Sequence, residues 1–351
     1  MSNVQRVVWK SNKKLKDYPE QLWKNSWYLL PEPELKLELN SFFDYNNFVN
    51  KYVNESNYRQ IYDLTPAPVE TLKLDKHNIP NKLVNTPVFF KRSYYYTTDT
   101  IHVYLTKLKE LTLQKLQCRK CQGLNIVNPD LPLNQQTPVG LSYSFEPVLT
   151  VIGQSLHSYS LYTPKFQIPF KGNIPQKDSG YLLYTALLLG GYIERWNLNI
   201  VNIVACHPVN NQPNNPVWVS NCKPIFVKEL QITKPNMLLC VGNSAKTQVF
   251  KLITEHNIEL SKALETKFTQ TFKLSTPLFG TIKYIITTYH PSYIQRRYTL
   301  FSEPAKSYIL DLANALKTVS KKYLHLRYIT LKTFLEKTYP NYITFYKLID
   351  V

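Results

Sequence analysis

"LNIVNIVACHPVNNQPNNPVWVSNCKPIF", residues 198–226, opens as one kind of structure and closes as another. Its first nine residues are mostly Ile, Val and Leu, the composition of a strand buried on both faces of a parallel sheet. A loop rich in proline and asparagine follows, and "CKPIFVKELQITK" then places apolar residues at helical intervals. The same alternation continues on either side. "PVLTVIG" is a short apolar strand ending in Gly153, and "SGYLLYTALLLGG" is a helix closed by glycines. Downstream, "PNMLLCVG" is a strand and "SAKTQVFKLITEH" a helix, while "GTIKYIITTYHPSY" is a strand running into a loop and "EPAKSYILDLANALKTV" the last strong helix. Strands and helices in this order predict a three-layer α/β/α fold around a central, mainly parallel sheet, with ligands gathering at the carboxyl ends of the strands. Gly153, Asn202, Gly242 and His290 all fall at or near such ends.

The flanks differ. Residues 1–96 have scattered prolines, many aromatics and broken periodicity, as expected of an N-terminal extension or small accessory domain. From Thr98 or Asp99, a helix is predicted to carry Ile101, Tyr104, Leu105, Leu108 and Leu111 on one face and to lead into "CRKC". The α/β domain is expected over 97–320, and 321–351 form a basic, aromatic C-terminal tail.

The 351 residues carry a formal charge of +18, a field that attracts polyanions, so nucleic acid is the first partner to consider. The longest apolar run, "YLLYTALLLGGYI", has the length of a core helix rather than of a membrane span. The N-terminus reads as neither a secretory signal nor a transit peptide, which predicts an intracellular protein. Abundant Lys, Asn, Ile and Tyr are residues of AT-rich codons. That bias suggests a mitochondrial matrix or other AT-rich genetic compartment, or a phage-infected cytoplasm.

Five cysteines are present. Cys118 and Cys121 form C-x2-C, Cys206 and Cys222 are separated by a long loop, and Cys240 lies inside an apolar strand as a core residue. Disulfides do not suit a chain with no secretory signal. Spacing alone leaves an iron–sulfur cluster, a zinc ion and unligated thiols open for the other four.

The order of C-x2-C, a strand ending in glycine, "PFKG", "NIVACHPVNNQPNNPVWVSNCKPIF", "KPNMLLCVGNSA" and "HPSYIQRR" resembles the iron–sulfur, family 4-like branch of the uracil-DNA glycosylase superfamily over about residues 97–318. The resemblance implies that Cys118, Cys121, Cys206 and Cys222 hold a 4Fe-4S cluster, with zinc as the lesser alternative. It implies that Phe170 stacks on an extruded base beside Gly153, that Asn202 reads the base's pairing edge, and that His290 donates a hydrogen bond to the departing base. It also sets Ser292, Tyr293, Arg296 and Arg297, with Gln295 among them, against the nucleic-acid backbone, in a loop that pushes into the duplex.

The first motif departs from the family. "IGQSLHSYS" keeps Gly153 and places Gln154 and Ser155 where the family has an acid or another helper, so no carboxylate there can orient water. His157 has no assigned role. Two functions therefore stand. One is a DNA- or RNA-binding pseudoenzyme whose catalysis is weakened or lost, serving a larger assembly such as an organellar ribosome or a replication complex and meeting other proteins through its extensions. The other is an active DNA-repair glycosylase that excises uracil by base flipping, with Gln154 or an acid such as Asp178 or Glu146 completing the site.

Overall fold

Parallel pairing of four short apolar strands organises the molecule. The computed structural model describes residues 86–91, scattered positions of 103–124, 147–155, 180–192, 197–206, 208, 214–261, 264–265, 268–298 and 302–330. Strands β2 (Leu149–Gly153), β3 (Leu198–Asn202) and β4 (Met237–Val241) are buried along their whole length. β7 (Ile282–Thr288) joins them, giving the parallel order β3-β2-β4-β7. The sheet is completed by two antiparallel strands, β6 (Thr269–Leu278) and the two-residue β5 (Leu264–Glu265). This is the predicted α/β class with an antiparallel edge that the sequence did not announce.

Helices cover both faces. α1 (Gly180–Gly190) is buried on every described side, as its unbroken apolar composition requires, and α5 (Glu303–Tyr323) packs on it. Their layer includes Leu182, Leu187, Leu312 and Leu316. On the opposite face, Phe226 and Leu230 of α2 (Pro216–Thr233) and Val249 and Leu252 of α3 (Asn243–Glu255) meet the other sides of the same strands. α2 begins six residues before the predicted "CKPIF" helix. Asn215 caps it by accepting from the Val217 amide at 2.9 Å, and Pro216 occupies the first turn, where a missing N–H costs nothing. The expected loop after β7 is instead the short helix α4 (Pro291–Arg297).

Both ends reach the core. β1 (Pro87–Lys91) pairs antiparallel with β8 (Leu326–Thr330), and Val88, Phe89 and Phe90 are buried in the α1–α5 layer. Both strands of this two-stranded sheet lie in the flanks outside 97–320, and β1 packs on the domain between them. Two features seat β1. The Asn197 amide nitrogen donates to the carbonyls of Phe89 and Gly191, at 2.7 and 2.8 Å. Gly191 has φ +91°, and a Cβ there would lie 1.8 Å from the Pro87 carbonyl oxygen. The predicted helix before "CRKC" is also present: the described residues between 103 and 115 are helical, with Tyr104, Leu108 and Leu111 buried. Residues 1–85 and 331–351 lie outside the described residues.

Gly191→Ala is therefore expected to destabilise the protein by at least about 1–2 kcal/mol from its left-handed backbone alone, with the β1 clash added. Urea denaturation measures it, and a variant as stable as the parent would contradict the docking of β1.

Candidate base-binding edge and thiol cluster

The parallel order brings four strand ends side by side. Gly153 and Asn202 are register partners, and the chain beyond them stays tied, with the Ile203 and Val204 amides donating to the Gly153 and Gln154 carbonyls at 3.0 and 3.1 Å. The Asn214 side-chain amide also donates to the Gln154 carbonyl at 3.0 Å. Next along the edge, the Gly242 amide donates to the Thr288 carbonyl at 2.9 Å. Gly242 has φ +84°, and a Cβ there would come within 3.2 Å of the His290 Cβ, so the bare backbone lets β4 and the His290 turn approach.

Asn202 is the unusual member of this row. It is buried, at 6% exposure, yet among the described residues neither its carboxamide nitrogen nor its oxygen has a hydrogen-bond partner. An orphaned buried amide costs roughly 1–3 kcal/mol, a cost that a ligand with a matching donor and acceptor would relieve.

His290 caps α4. Its Nδ1 accepts from the Ser292 amide at 3.2 Å and lies 2.7 Å from the Ser292 hydroxyl. An Nδ1 that accepts a backbone N–H bears no proton, so the neutral ring carries its hydrogen on Nε2 and presents a donor from that side. Gln154 is fixed as well, because the Ser244 hydroxyl donates to its side-chain oxygen at 3.2 Å and leaves the amide N–H group as the outward function. Ser244 was not legible as a site residue; its only signal is its place two residues after Gly242 at a helix start.

The basic segment is helical rather than a wedge-bearing loop. Pro291 and Ile294 are buried, Arg296 and Arg297 are exposed, and the Arg297 guanidinium lies 4.3 Å from the centre of the Tyr293 ring. Arg296 Nε donates to the Ser292 carbonyl at 3.1 Å. Phe170, His157, Asp178 and Glu146 lie outside the described residues.

The four candidate thiols come from three segments. Cys121, Cys206 and Cys222 share one buried cluster, and Asn221 on α2 reaches back to the Lys120 carbonyl and the Cys121 sulfur at 3.1 and 3.5 Å. Burial pushes the Cys206 thiol well up, and the nearby Cys222, Cys118 and Cys121 sulfurs push it further against a small opposing pull from Arg119. Burial likewise raises Cys222; Cys121 and Cys118 add to the rise, opposed by a backbone hydrogen bond at Ala205 and by Lys115. Among the described residues, no group of three or more His, Cys, Asp or Glu side chains closes around a single metal ion. Cys240 is fully buried core, as expected.

A buried ion pair locks this region. Lys115 Nζ, from the helix before C-x2-C, lies 2.6 Å from Glu229 Oε1 on α2, with both side chains almost fully covered. Glu229→Ala is expected to cost about 3–5 kcal/mol by stranding Lys115, whereas the double replacement Lys115→Met with Glu229→Leu recovers most of the loss. Chemical denaturation of both variants checks this, and equal losses would contradict a paired, desolvated bridge.

A family model described as the uracil DNA glycosylase superfamily matches residues 144–313. The chain is 26% identical over 150 residues to the type-4 uracil-DNA glycosylase of Archaeoglobus fulgidus, covering 40% of this chain and 72% of that protein. To the type-4 enzyme of Sulfurisphaera tokodaii it is 23% identical over 142 residues, 37% of this chain and 61% of the relative. To that of Pyrobaculum aerophilum it is 25% identical over 138 residues, 39% and 67% respectively. Residues 144–313 thus match the uracil DNA glycosylase superfamily, and the relatives they resemble are type-4 enzymes.

Proposed function

We propose that this chain of the uracil DNA glycosylase superfamily binds uracil extruded from DNA and hydrolyses its glycosidic bond, without a carboxylate from the first motif. The observation that carries this reading is the orphaned Asn202 carboxamide. Uracil offers an acceptor at O4 and a donor at N3–H, and the Asn202 nitrogen and oxygen match that pair. Cytosine presents the opposite pattern and is rejected when the amide is held in this sense.

The chemistry follows from charge. As the C1′–N1 bond breaks, its electron pair passes to the base and accumulates on O2 and N1. The Nε2–H of a neutral His290 donates to that charge where it develops. Water then bonds to C1′ and loses its proton to solvent. Gln154, held by Ser244, offers an amide and not a base, so the first motif can orient the attacking water but not take its proton. Arg296 and Arg297 are exposed for phosphate contact beside the site.

Cys118, Cys121, Cys206 and Cys222 are the ligands for a 4Fe-4S cluster, which would act as a staple. Cys121, Cys206 and Cys222 in one buried cluster, with Cys118 beside Cys121 in C-x2-C, supply the four thiolates such a cluster would need. The staple would fix, through Cys206, the segment that follows Asn202 at the end of β3.

The alternative of a retired, nucleic-acid-binding scaffold in a larger assembly draws on the missing acid of the first motif, the +18 charge and the aromatic, basic extensions. Single-turnover release of uracil from uracil-containing DNA decides between the two. Release is expected from iron-loaded protein and should fall about 10²–10³-fold in His290→Ala. Undetectable release from the parent protein would favour the scaffold, and an undiminished rate in His290→Ala would remove histidine from the mechanism. Cys222→Ser should lose iron and its visible absorption; full iron retention would contradict the ligand set.

A further inference from the structure

From the aromatic surface beside His290, we infer that Tyr289 is a stacking platform for an unpaired base next to the one bound at Asn202, and that the chain favours single-stranded over duplex DNA. This rests on the proposal that DNA meets this edge of the sheet, but not on excision.

Tyr289 lies between the end of β7 and His290 and is 48% exposed. Single exposed aromatics are ordinary on protein surfaces. This one is held from several sides. Phe268 meets its ring edge-on at 5.9 Å and Tyr293 at 5.4 Å, while the buried Tyr308 hydroxyl donates to its backbone carbonyl at 3.2 Å. Phe268 in turn packs edge-on against Tyr308 at 6.1 Å. An exposed ring fixed this way loses little freedom when a base covers it.

The neighbouring charge fits the same ligand. The Arg297 guanidinium is stacked on Tyr293, the ring that supports Tyr289, and Arg296 is exposed one residue away. Aromatic faces interleaved with arginines are the means by which proteins hold single strands without reading sequence. A duplex needs something different, a projecting apolar wedge to hold the helix open. Among the described residues of α4, the aliphatic side chains of Pro291 and Ile294 are buried and supply no such wedge.

The test is fluorescence anisotropy with the full chain and uracil-free DNA, comparing a thymine single strand with a duplex of equal length. Tyr289→Ala should weaken single-strand binding by roughly 5- to 100-fold, Tyr289→Phe should stay within about twofold of the parent, and duplex binding should change by less than about twofold. Unchanged single-strand affinity in Tyr289→Ala, or equal losses for both DNAs, would overturn the proposal. If the alanine variant does not fold, Tyr289→Leu keeps bulk without a π-face and should show the same selective loss; parent-like single-strand binding by Tyr289→Leu would overturn it equally. Because the probe contains no uracil, absence of excision leaves this result standing.

Discussion

Parallel registration of β3, β2, β4 and β7 is the constraint on which the rest of the molecule depends. Each strand is only five to seven residues long, so its carboxyl end lies directly above a fully buried core. Because parallel neighbours run the same way, four chain reversals open on one edge. Gly153, Asn202, Gly242 and His290 are there because β2, β3, β4 and β7 end there. Evenly spaced ladder bonds fix the relative heights of these residues, and the site inherits that order.

A rigid edge is needed because its central polar group is left dissatisfied. The buried Asn202 amide would be stabilised by turning toward any nearby backbone group, yet the chain after β3 is committed elsewhere by the Ile203 and Val204 amides and is crowded by the thiol cluster. Lys115 with Glu229 and Asn221 with Cys121 tie the same region to α2. The opposite layer is closed by β1, whose seat depends on Asn197 and Gly191. The position of this amide at the end of β3 is thus sustained by packing on both faces of the sheet.

Much of this was legible in the sequence where the signals were apolar. The buried parallel strands and the helices α1, α3 and α5 stand out as Val-, Ile- and Leu-rich runs with helical or continuous patterns, and the Asn202 and His290 positions follow from where those runs stop. β6 was not legible because its buried residues include Thr269 and Thr271, and an irregularity between Lys273 and Leu278 breaks its alternation. β1 is too short to be recognised before its partner is known, and that partner, β8, lies more than two hundred residues away. α4 was read as a loop because Pro291 obscured a helix that in fact begins on that proline, with His290 as its cap. Tautomer, amide orientation and thiol coupling depend on contacts between distant segments, and no local pattern encodes them.

The most direct test of the account is calorimetric titration of the iron-loaded protein with free uracil and with 3-methyluracil, whose methyl group removes the N3–H donor. Uracil is expected to bind measurably, with binding lost on methylation and lost again in Asn202→Ala. Equal binding of the two bases, or binding of uracil that survives Asn202→Ala, would contradict the claim that the orphaned carboxamide at the end of β3 reads the pairing edge of the base.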